Sequence, residues 1–300
     1  MNLQTSIQEQ VLHKLNSVSI AARQAVESIL SGQHKSIRRG LSIEFANHRP
    51  YVPGDDIRHL DWFVYARSDR YDVRVYEEET KLRATIILDA SGSMGYGSHS
   101  RTKWDFARDC AAALSFLMLR QSDSVGLSIF DSTVHTEIPA GSTMGHLISM
   151  LNKLEETKPG NETDLAPVLM QAASRLKRRG LVILITDGFD RSEAVIKALS
   201  YLRHKKQEVW FFQILDPNEL TFSMTGVLEF QGLEKERKLK LDADRIRHLY
   251  QEALLRHNNL LAEGCHALGI RRYVFQTNED LANGIIMALK TSVAQVQPRA

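Results

Sequence analysis

The chain has 300 residues, enough for about two domains or for one large α/β domain with an added arm. Its composition, 43% hydrophobic and 25% charged residues, is typical of a globular protein. Lys and Arg number 38 and Asp and Glu number 36, so the formal net charge is +2. This near balance excludes a strongly basic nucleic-acid-binding protein and an acidic disordered protein. We therefore expect no nucleic acid partner.

The cysteines and the apolar runs bear on the location of the protein. Cys110 and Cys265 stand far apart in the chain and fall in apolar helical patterns, which favours buried thiols over a disulfide. Residues 1–5 show no basic region followed by an apolar run, so no signal peptide is recognisable. The longest apolar runs, such as residues 181–185, have the length of a strand and are too short to cross a membrane. We expect a cytoplasmic protein without a membrane span.

The first 80 residues predict an N-terminal arm. Apolar side chains in residues 6–30 recur at spacings of three and four, which is typical of an amphipathic helix that ends near Gly32. The Pro-Gly dipeptide at 53–54 indicates a turn. Residues 71–77 alternate between apolar and polar, as in a half-exposed strand. We assign residues 1–80 to this arm.

From residue 83 onward, apolar runs of strand length alternate with helical patterns. The predicted strands cover residues 84–88, 124–130, 134–138, 181–186, 208–215 and 273–275, with a hairpin at 226–241. The predicted helices cover about 104–118, 143–156, 165–178, 191–204, 242–268 and 279–292. This alternation favours an α/β fold with a doubly wound, mostly parallel sheet flanked by helices. We assign it to residues 81–300, with a site-bearing core at 82–215 and a C-terminal extension at 216–300.

Three loops of this predicted domain contain carboxylates and hydroxyls. The first, residues 89–93, follows the first buried strand; the second, residues 161–164, enters a helix; the third, residues 186–189, follows the next inner strand. Ligands of doubly wound sheets bind at the carboxyl ends of the strands, where these loops lie. The candidate ligands are Asp89, Ser91, Ser93, Thr163 and Asp187.

Oxygen ligands with few charges suit a hard cation, with Mg²⁺ favoured and Mn²⁺ or Ca²⁺ as alternatives. Residues 89, 91 and 93 in a turning loop can point three oxygens at one ion, and Gly92 lets the backbone tighten around it. Such a site leaves a coordination position that a carboxylate from another protein can fill. We therefore expect a site that binds the Asp or Glu of a protein partner, and not an enzyme.

The pattern Asp89-x-Ser91-x-Ser93, with Thr163 and Asp187 in later loops, resembles the metal-ion-dependent adhesion site of von Willebrand factor A domains. The resemblance covers about residues 82–215. It implies a von Willebrand factor A-like, Rossmann-like domain in which these five residues hold the metal, directly or through water. The function it implies is metal-dependent protein–protein interaction.

A second resemblance covers more of the chain. Residues 54–62, the Ala66-Arg67 pair, residues 73–79 and residues 123–127 are similar to the bacterial domain-of-unknown-function-58 family. With these stretches the resemblance spans about residues 33–190. It implies a partner among the MoxR-type AAA+ ATPases and a role as an adaptor or co-chaperone in the maturation or assembly of other proteins.

Two alternatives stay open. The same loops could serve a Mg²⁺-dependent hydrolase or phosphoryl-transfer enzyme, although no candidate general base or phosphate-binding loop supports it. Residues 91–95 differ from the Gly-x-Ser-x-Gly nucleophile motif at their first position. The chain could also be a scaffold whose metal site is vestigial, since strand-end Ser, Thr and Asp residues often cap helices or form turns.

Overall fold

The computed structural model describes residues 47–52, 60–75, 82–160, 165–176, 179–230 and 238–293. They belong to two compact units, one within residues 32–81 and one that continues from Leu82. The predicted helix at 6–30 and the turn at 53–54 lie outside the described residues. The arm of residues 1–80 and the domain bounds based on it therefore stay predictions.

The smaller unit contains a two-stranded antiparallel sheet and a helix. Strand β1 (Asn47–Pro50) pairs with β2 (Asp72–Val75). Between them helix α1 (Trp62–Ser68) begins at Asp61, whose carboxylate accepts hydrogen bonds from two backbone N–H groups of the first turn. Such a cap satisfies backbone donors that the helix leaves unpaired. Asp61, which belongs to the family-like stretch at 54–62, thus has a structural role.

The larger unit is built around a six-stranded sheet. Its strands are β3 (Arg83–Asp89), β4 (Ser124–Phe130), β5 (Val134–Gly141), β6 (Leu181–Thr186), β7 (Glu208–Leu215) and β10 (Arg271–Gln276). A separate hairpin consists of β8 (Val227–Phe230) and β9 (Leu239–Asp242). The helices are α2 (Lys103–Arg120), α3 (Met144–Glu156), α4 (Leu165–Arg175), α5 (Ser192–His204), α6 (Pro217–Thr221), α7 (Ala243–Ala267) and α8 (Leu281–Val293).

The strand order in the sheet is β10–β7–β6–β3–β4–β5. All neighbours are parallel except the edge strand β5, which runs antiparallel to β4. Helices α2, α3 and α8 contribute to the apolar core on one face, and α4, α5 and α7 to the core on the other. The predicted doubly wound, mostly parallel sheet flanked by helices is confirmed. Since β3 lies between β4 and β6, the chain winds outward in both directions from β3.

The central strands are buried on both faces. In β3, Ile86 and Leu88 join one core and Ile87 joins the other, so successive side chains alternate between the two helical layers. Every residue of β6 is buried. This explains the continuous apolar runs in the sequence.

Two further features concern predictions from the sequence. Both cysteines are buried and free, and burial raises the pKa of the Cys265 thiol to about 11. The short helix α6 was not predicted; it begins at Asp216, which caps it, and has proline at its first position. This helix follows β7 directly and contributes to the functional site.

Gly126 permits a close approach of β4 and β5. A Cβ atom at this position would lie 2.9 Å from the carbonyl oxygen of Ile138 and 3.0 Å from the backbone nitrogen of Ala140. Both contacts are with backbone, so the strands would have to separate. We expect Gly126→Ala to lower the free energy of unfolding by about 1–3 kcal/mol, as measured by urea denaturation.

Gly145 provides the matched control. It lies in the first turn of α3, and nothing lies within 4 Å of a Cβ atom added there. Gly145→Ala should leave the stability unchanged or increase it by up to about 1 kcal/mol, because alanine favours a helix. If Gly126→Ala were as stable as the wild type, β4 and β5 would not approach as closely as described.

Candidate functional site

Asp89 and Asp187 lie side by side at the carboxyl edge of the sheet. Asp89 ends β3, and Asp187 directly follows β6, the neighbouring parallel strand. The register pairs Leu88 with Ile185. The side chains of Asp89 and Asp187 are both buried, with residue exposures of 1% and 3%. The structure thus brings two of the predicted ligands together.

Hydrogen bonds fix the Asp89 carboxylate between the two loops. Its Oδ1 accepts from the backbone N–H of Ser91 at 2.9 Å, and its Oδ2 accepts from the hydroxyl of Thr186 at 2.5 Å. The Thr186 oxygen in turn accepts from the backbone N–H of Gly188 at 3.1 Å. Both partners of Asp89 are neutral donors.

Ser91 and Ser93 lie next to this carboxylate. A 3₁₀ turn over Gly92–Gly95 brings their hydroxyl oxygens to 3.1 Å from each other. Ser91 is buried, whereas Ser93 is only partly buried. The alternating Asp-x-Ser-x-Ser pattern therefore places its two hydroxyls together.

The environment of Asp89 disfavours its charged form. Burial, and next the negative charge of Asp187, raise the pKa of Asp89 to about 7, although hydrogen bonds from Thr186 and Ser91 act in the opposite direction. A buried carboxylate with a second one nearby is costly to ionise without a positive charge.

Thr163, the remaining predicted ligand, lies outside the described residues. The segments that flank it are held near the site. The backbone N–H of Gly160 donates to the carbonyl of Ala90 at 2.9 Å, and the N–H of Leu165 donates to Asp190 at 3.1 Å. The described residues Gly160 and Leu165 thus contact the Asp-x-Ser-x-Ser loop and the loop after β6, respectively. The role of Thr163 stays a prediction.

The sequence analysis missed Lys103, which is buried at the first position of α2. Its ammonium donates to Oδ2 of Asp187 at 2.7 Å and to Oε1 of Glu219 at 2.6 Å. It also lies 4.8 Å from the ring centre of Phe189. Burial alone would lower the pKa of Lys103, but Asp187 and Glu219 outweigh it and raise that pKa above the ordinary value. Lys103 is therefore held in its charged form.

Gln213 of β7 and side chains of the C-terminal extension contact the loop after β6. The side-chain amide of Gln213 donates to the backbone carbonyl of Asp187 at 2.9 Å, and Arg272 donates to the Gln213 oxygen. His257 of α7 is hydrogen-bonded to the carbonyl of Gly188 at 2.8 Å. Elements beyond residue 215 thus hold the loop that contains Asp187.

Asp216 connects the same extension to the loop after the 3₁₀ turn. Its carboxylate accepts from the backbone N–H of Ser98 at 2.9 Å, from the Ser98 hydroxyl, from the N–H of Asn218 at 2.9 Å and from the Thr277 hydroxyl at 3.0 Å. Asp216 therefore joins three separate parts of the chain around the site.

The donors at the site fit a hard cation. Asp89, Asp187, Ser91 and Ser93 offer only oxygen, the ligand type that Mg²⁺ prefers. The described ranges contain no group of three or more His, Cys, Asp or Glu side chains placed to hold a metal ion. A cation here would therefore depend on hydroxyls and water in addition to the two carboxylates.

Residues 47–260 match the family of proteins of unknown function DUF58. The chain belongs to this family. Relatives include uncharacterized proteins of Mycobacterium bovis (Mb1516) and Mycobacterium tuberculosis (Rv1480). Each is 26% identical to this DUF58 chain in an alignment of 279 positions that covers 91% of this chain and 86% of the relative. The family recognised in the sequence is confirmed.

Similar solved structures include BatB from Bacteroides thetaiotaomicron, with 16% identity and a TM-score of 0.47 over 71% of this chain and all of that one. An aerotolerance-related membrane protein from Bacteroides fragilis has 17% identity and a TM-score of 0.49, over 71% and 99%. The SpRpn10 VWA domain has 10% identity and a TM-score of 0.41, over 69% and 95%. The sheet order described above shows that this DUF58 protein has the predicted doubly wound α/β fold.

The expectation of a cytoplasmic protein is wrong. It rested on the short apolar runs and on the absence of a recognisable signal peptide. Against it, proteins of similar structure include the B. fragilis membrane protein. Among the residues that the structure describes, no helix is both long enough and apolar enough to cross a membrane.

The hydrogen bonds of Asp216 lead to a pH-dependent prediction. Burial by itself raises the pKa of Asp216, but the bonds from Ser98, Asn218 and Thr277 together hold it below its ordinary value. A lowered pKa in the folded state stabilises the protein at pH values above the unfolded-state pKa of about 3.9. This stabilisation is lost as the pH falls through the folded-state pKa. Asp216→Asn should lower the free energy of unfolding by about 2 kcal/mol at pH 7. The difference should fade as the pH falls from the unfolded-state pKa toward the lower folded-state pKa. Urea denaturation at several pH values measures this.

Asp244 is a suitable control. It is exposed, and it too accepts hydrogen bonds, from the backbone N–H of Gly226 and from Arg247. Asp244→Asn should change the stability much less, because solvent competes for these bonds. Equal losses in the two variants, or a loss in Asp216→Asn that does not depend on pH, would contradict the role given to Asp216.

Proposed function

We propose that this DUF58 protein is a metal-ion-dependent protein-binding module that binds an Asp or Glu side chain of a partner protein. Asp89, Ser91, Ser93, Thr163 and Asp187 would hold the ion, directly or through water. Bound Mg²⁺ supplies a positive charge with a coordination position open to the partner's carboxylate. The module binds its partner and does not transform it.

The observation that carries this proposal is the pair of buried strand-end carboxylates beside two hydroxyls. Asp89 receives only neutral hydrogen bonds, and Ser91 and Ser93 lie together next to it. A turn or a helix cap uses such groups to satisfy backbone donors, but it does not require two carboxylates to be buried close to each other. A cation at this edge would balance the negative charges of the two buried carboxylates, which otherwise repel each other.

The family resemblance adds a partner to the proposal. We propose that the partner is a MoxR-type AAA+ ATPase and that the module acts as an adaptor or co-chaperone for it. An acidic residue on the ATPase would then provide the external ligand. The near-zero net charge is compatible with this, because one cation can select a carboxylate without a large field over the whole protein.

Asp89→Asn tests the proposal. We expect it to weaken Mg²⁺ binding about 100-fold or more, since even groups that only support a metal ligand contribute 10- to 100-fold to affinity. Titration calorimetry with Mg²⁺ on the full chain measures this directly. Binding of the purified MoxR-type ATPase of the same organism, with Mg²⁺ or with EDTA, should show the same loss.

The matched control is Asp123→Asn. Asp123 is also buried, but it precedes β4 at the opposite edge of the sheet and accepts from the backbone N–H of Leu82 at 2.9 Å. This variant should bind Mg²⁺ and the ATPase as the wild type does. ATPase binding that persists in EDTA would refute metal dependence, and Mg²⁺-dependent turnover of a phosphoester that is lost in Ser91→Ala would favour an enzyme instead.

A further inference from the structure

Lys103 stands at a position that is unfavourable for a cation in two respects. Its residue exposure is 0%, so its ammonium has lost its water. It is also the first residue of an 18-residue helix, whose N-terminus carries partial positive charge and favours anions. The two carboxylates in contact with it, Asp187 and Glu219, offset these costs, together with the ring of Phe189.

The two carboxylates come from different parts of the chain. Asp187 belongs to the candidate metal site, whereas Glu219 lies on α6 in the C-terminal extension. The other oxygen of Glu219 accepts from the backbone N–H of Asp216 at 2.8 Å, so its position is fixed by the capping of α6. Lys103 thus contacts both the candidate metal site, through Asp187, and Glu219, which the cap of α6 holds in position.

Both carboxylate oxygens of Asp187 already accept a hydrogen bond. Its Oδ2 accepts from Lys103 at 2.7 Å, and its Oδ1 accepts from the backbone N–H of Phe189 at 3.2 Å. Asp89 differs, because its partners are neutral. A metal ion that uses Asp187 would therefore have to compete with a cation that is already there.

We infer that Lys103 is an internal cation that competes with the metal ion for Asp187 and thereby sets the metal affinity of the site. When Asp187 turns to a metal ion, Lys103 keeps Glu219 as its partner, so the ammonium is not left buried and unpaired. Metal binding is then coupled to the ion pair that joins α2 to α6. This inference rests on the proposed metal-binding function and names what regulates it.

The test is Lys103→Met combined with Glu219→Gln. The double variant removes one positive and one negative charge, so the net charge of the site is unchanged and any gain in affinity comes from freeing Asp187. We expect it to bind Mg²⁺ at least about tenfold more tightly than the wild type. Glu219→Gln alone should bind Mg²⁺ more weakly than the wild type, because Lys103 then depends on Asp187 alone.

Two measurements keep this test independent of any activity. Titration calorimetry measures the Mg²⁺ affinity directly. The rise of the thermal unfolding midpoint with MgCl₂ concentration provides an independent measurement of the same affinity. Arg101→Met is the matched control: Arg101 pairs with Asp109 at 2.5 Å, close to Lys103 in sequence, and has no role at Asp187. Its Mg²⁺ affinity should equal that of the wild type.

The outcomes separate this inference from the proposed function. If the wild type binds Mg²⁺ and the double variant binds no more tightly, the competition is refuted and the metal-binding function stands. If only the double variant binds Mg²⁺, the competition is supported and the proposed function of the wild type fails. If neither binds, both are refuted.

Discussion

The geometry of the site depends on the two buried ion pairs that the ammonium of Lys103 makes with Asp187 and Glu219. The ammonium joins the start of α2, the loop after β6 and the short helix α6. A charge without water must be matched by opposite charge at hydrogen-bond distance, and removing one partner of such a group is strongly destabilising. The three segments therefore cannot take up independent positions. Whatever moves Asp187 must also satisfy Lys103.

This constraint makes the C-terminal extension part of the site. Glu219 balances Lys103, Asp216 binds the loop that contains Ser98, and His257 holds the carbonyl of Gly188. The Asp-x-Ser-x-Ser loop and the loop after β6 provide the oxygens, but elements beyond residue 215 determine how those loops are held. Substitutions on α6 and α7 are therefore expected to affect the site as strongly as changes near its ligands.

The strands and the pair Asp89 and Asp187 could be predicted from the sequence, because a buried parallel strand is a continuous apolar run and its first polar residue marks the carboxyl edge. Lys103 was missed because it directly precedes the helix predicted at about 104–118, although it stands four positions before Ala107 of the apolar face. A charged residue on that face was the signal. Glu219 gave no comparable signal, since α6 has five residues and is too short to show helical periodicity.

Lys103 meets the charge requirement of the site only in part. Its ammonium contacts Asp187 and Glu219, whereas Asp89 is bound by the N–H of Ser91 and the hydroxyl of Thr186. Burial and the nearby charge of Asp187 raise the pKa of Asp89 to about 7, so the charged form of this carboxylate is disfavoured. In the structure the ammonium donates to Asp187 and Glu219, whereas the partners of Asp89 are neutral. A divalent ion between Asp89 and Asp187 could serve both, and the Lys103–Glu219 pair would remain neutral beside it.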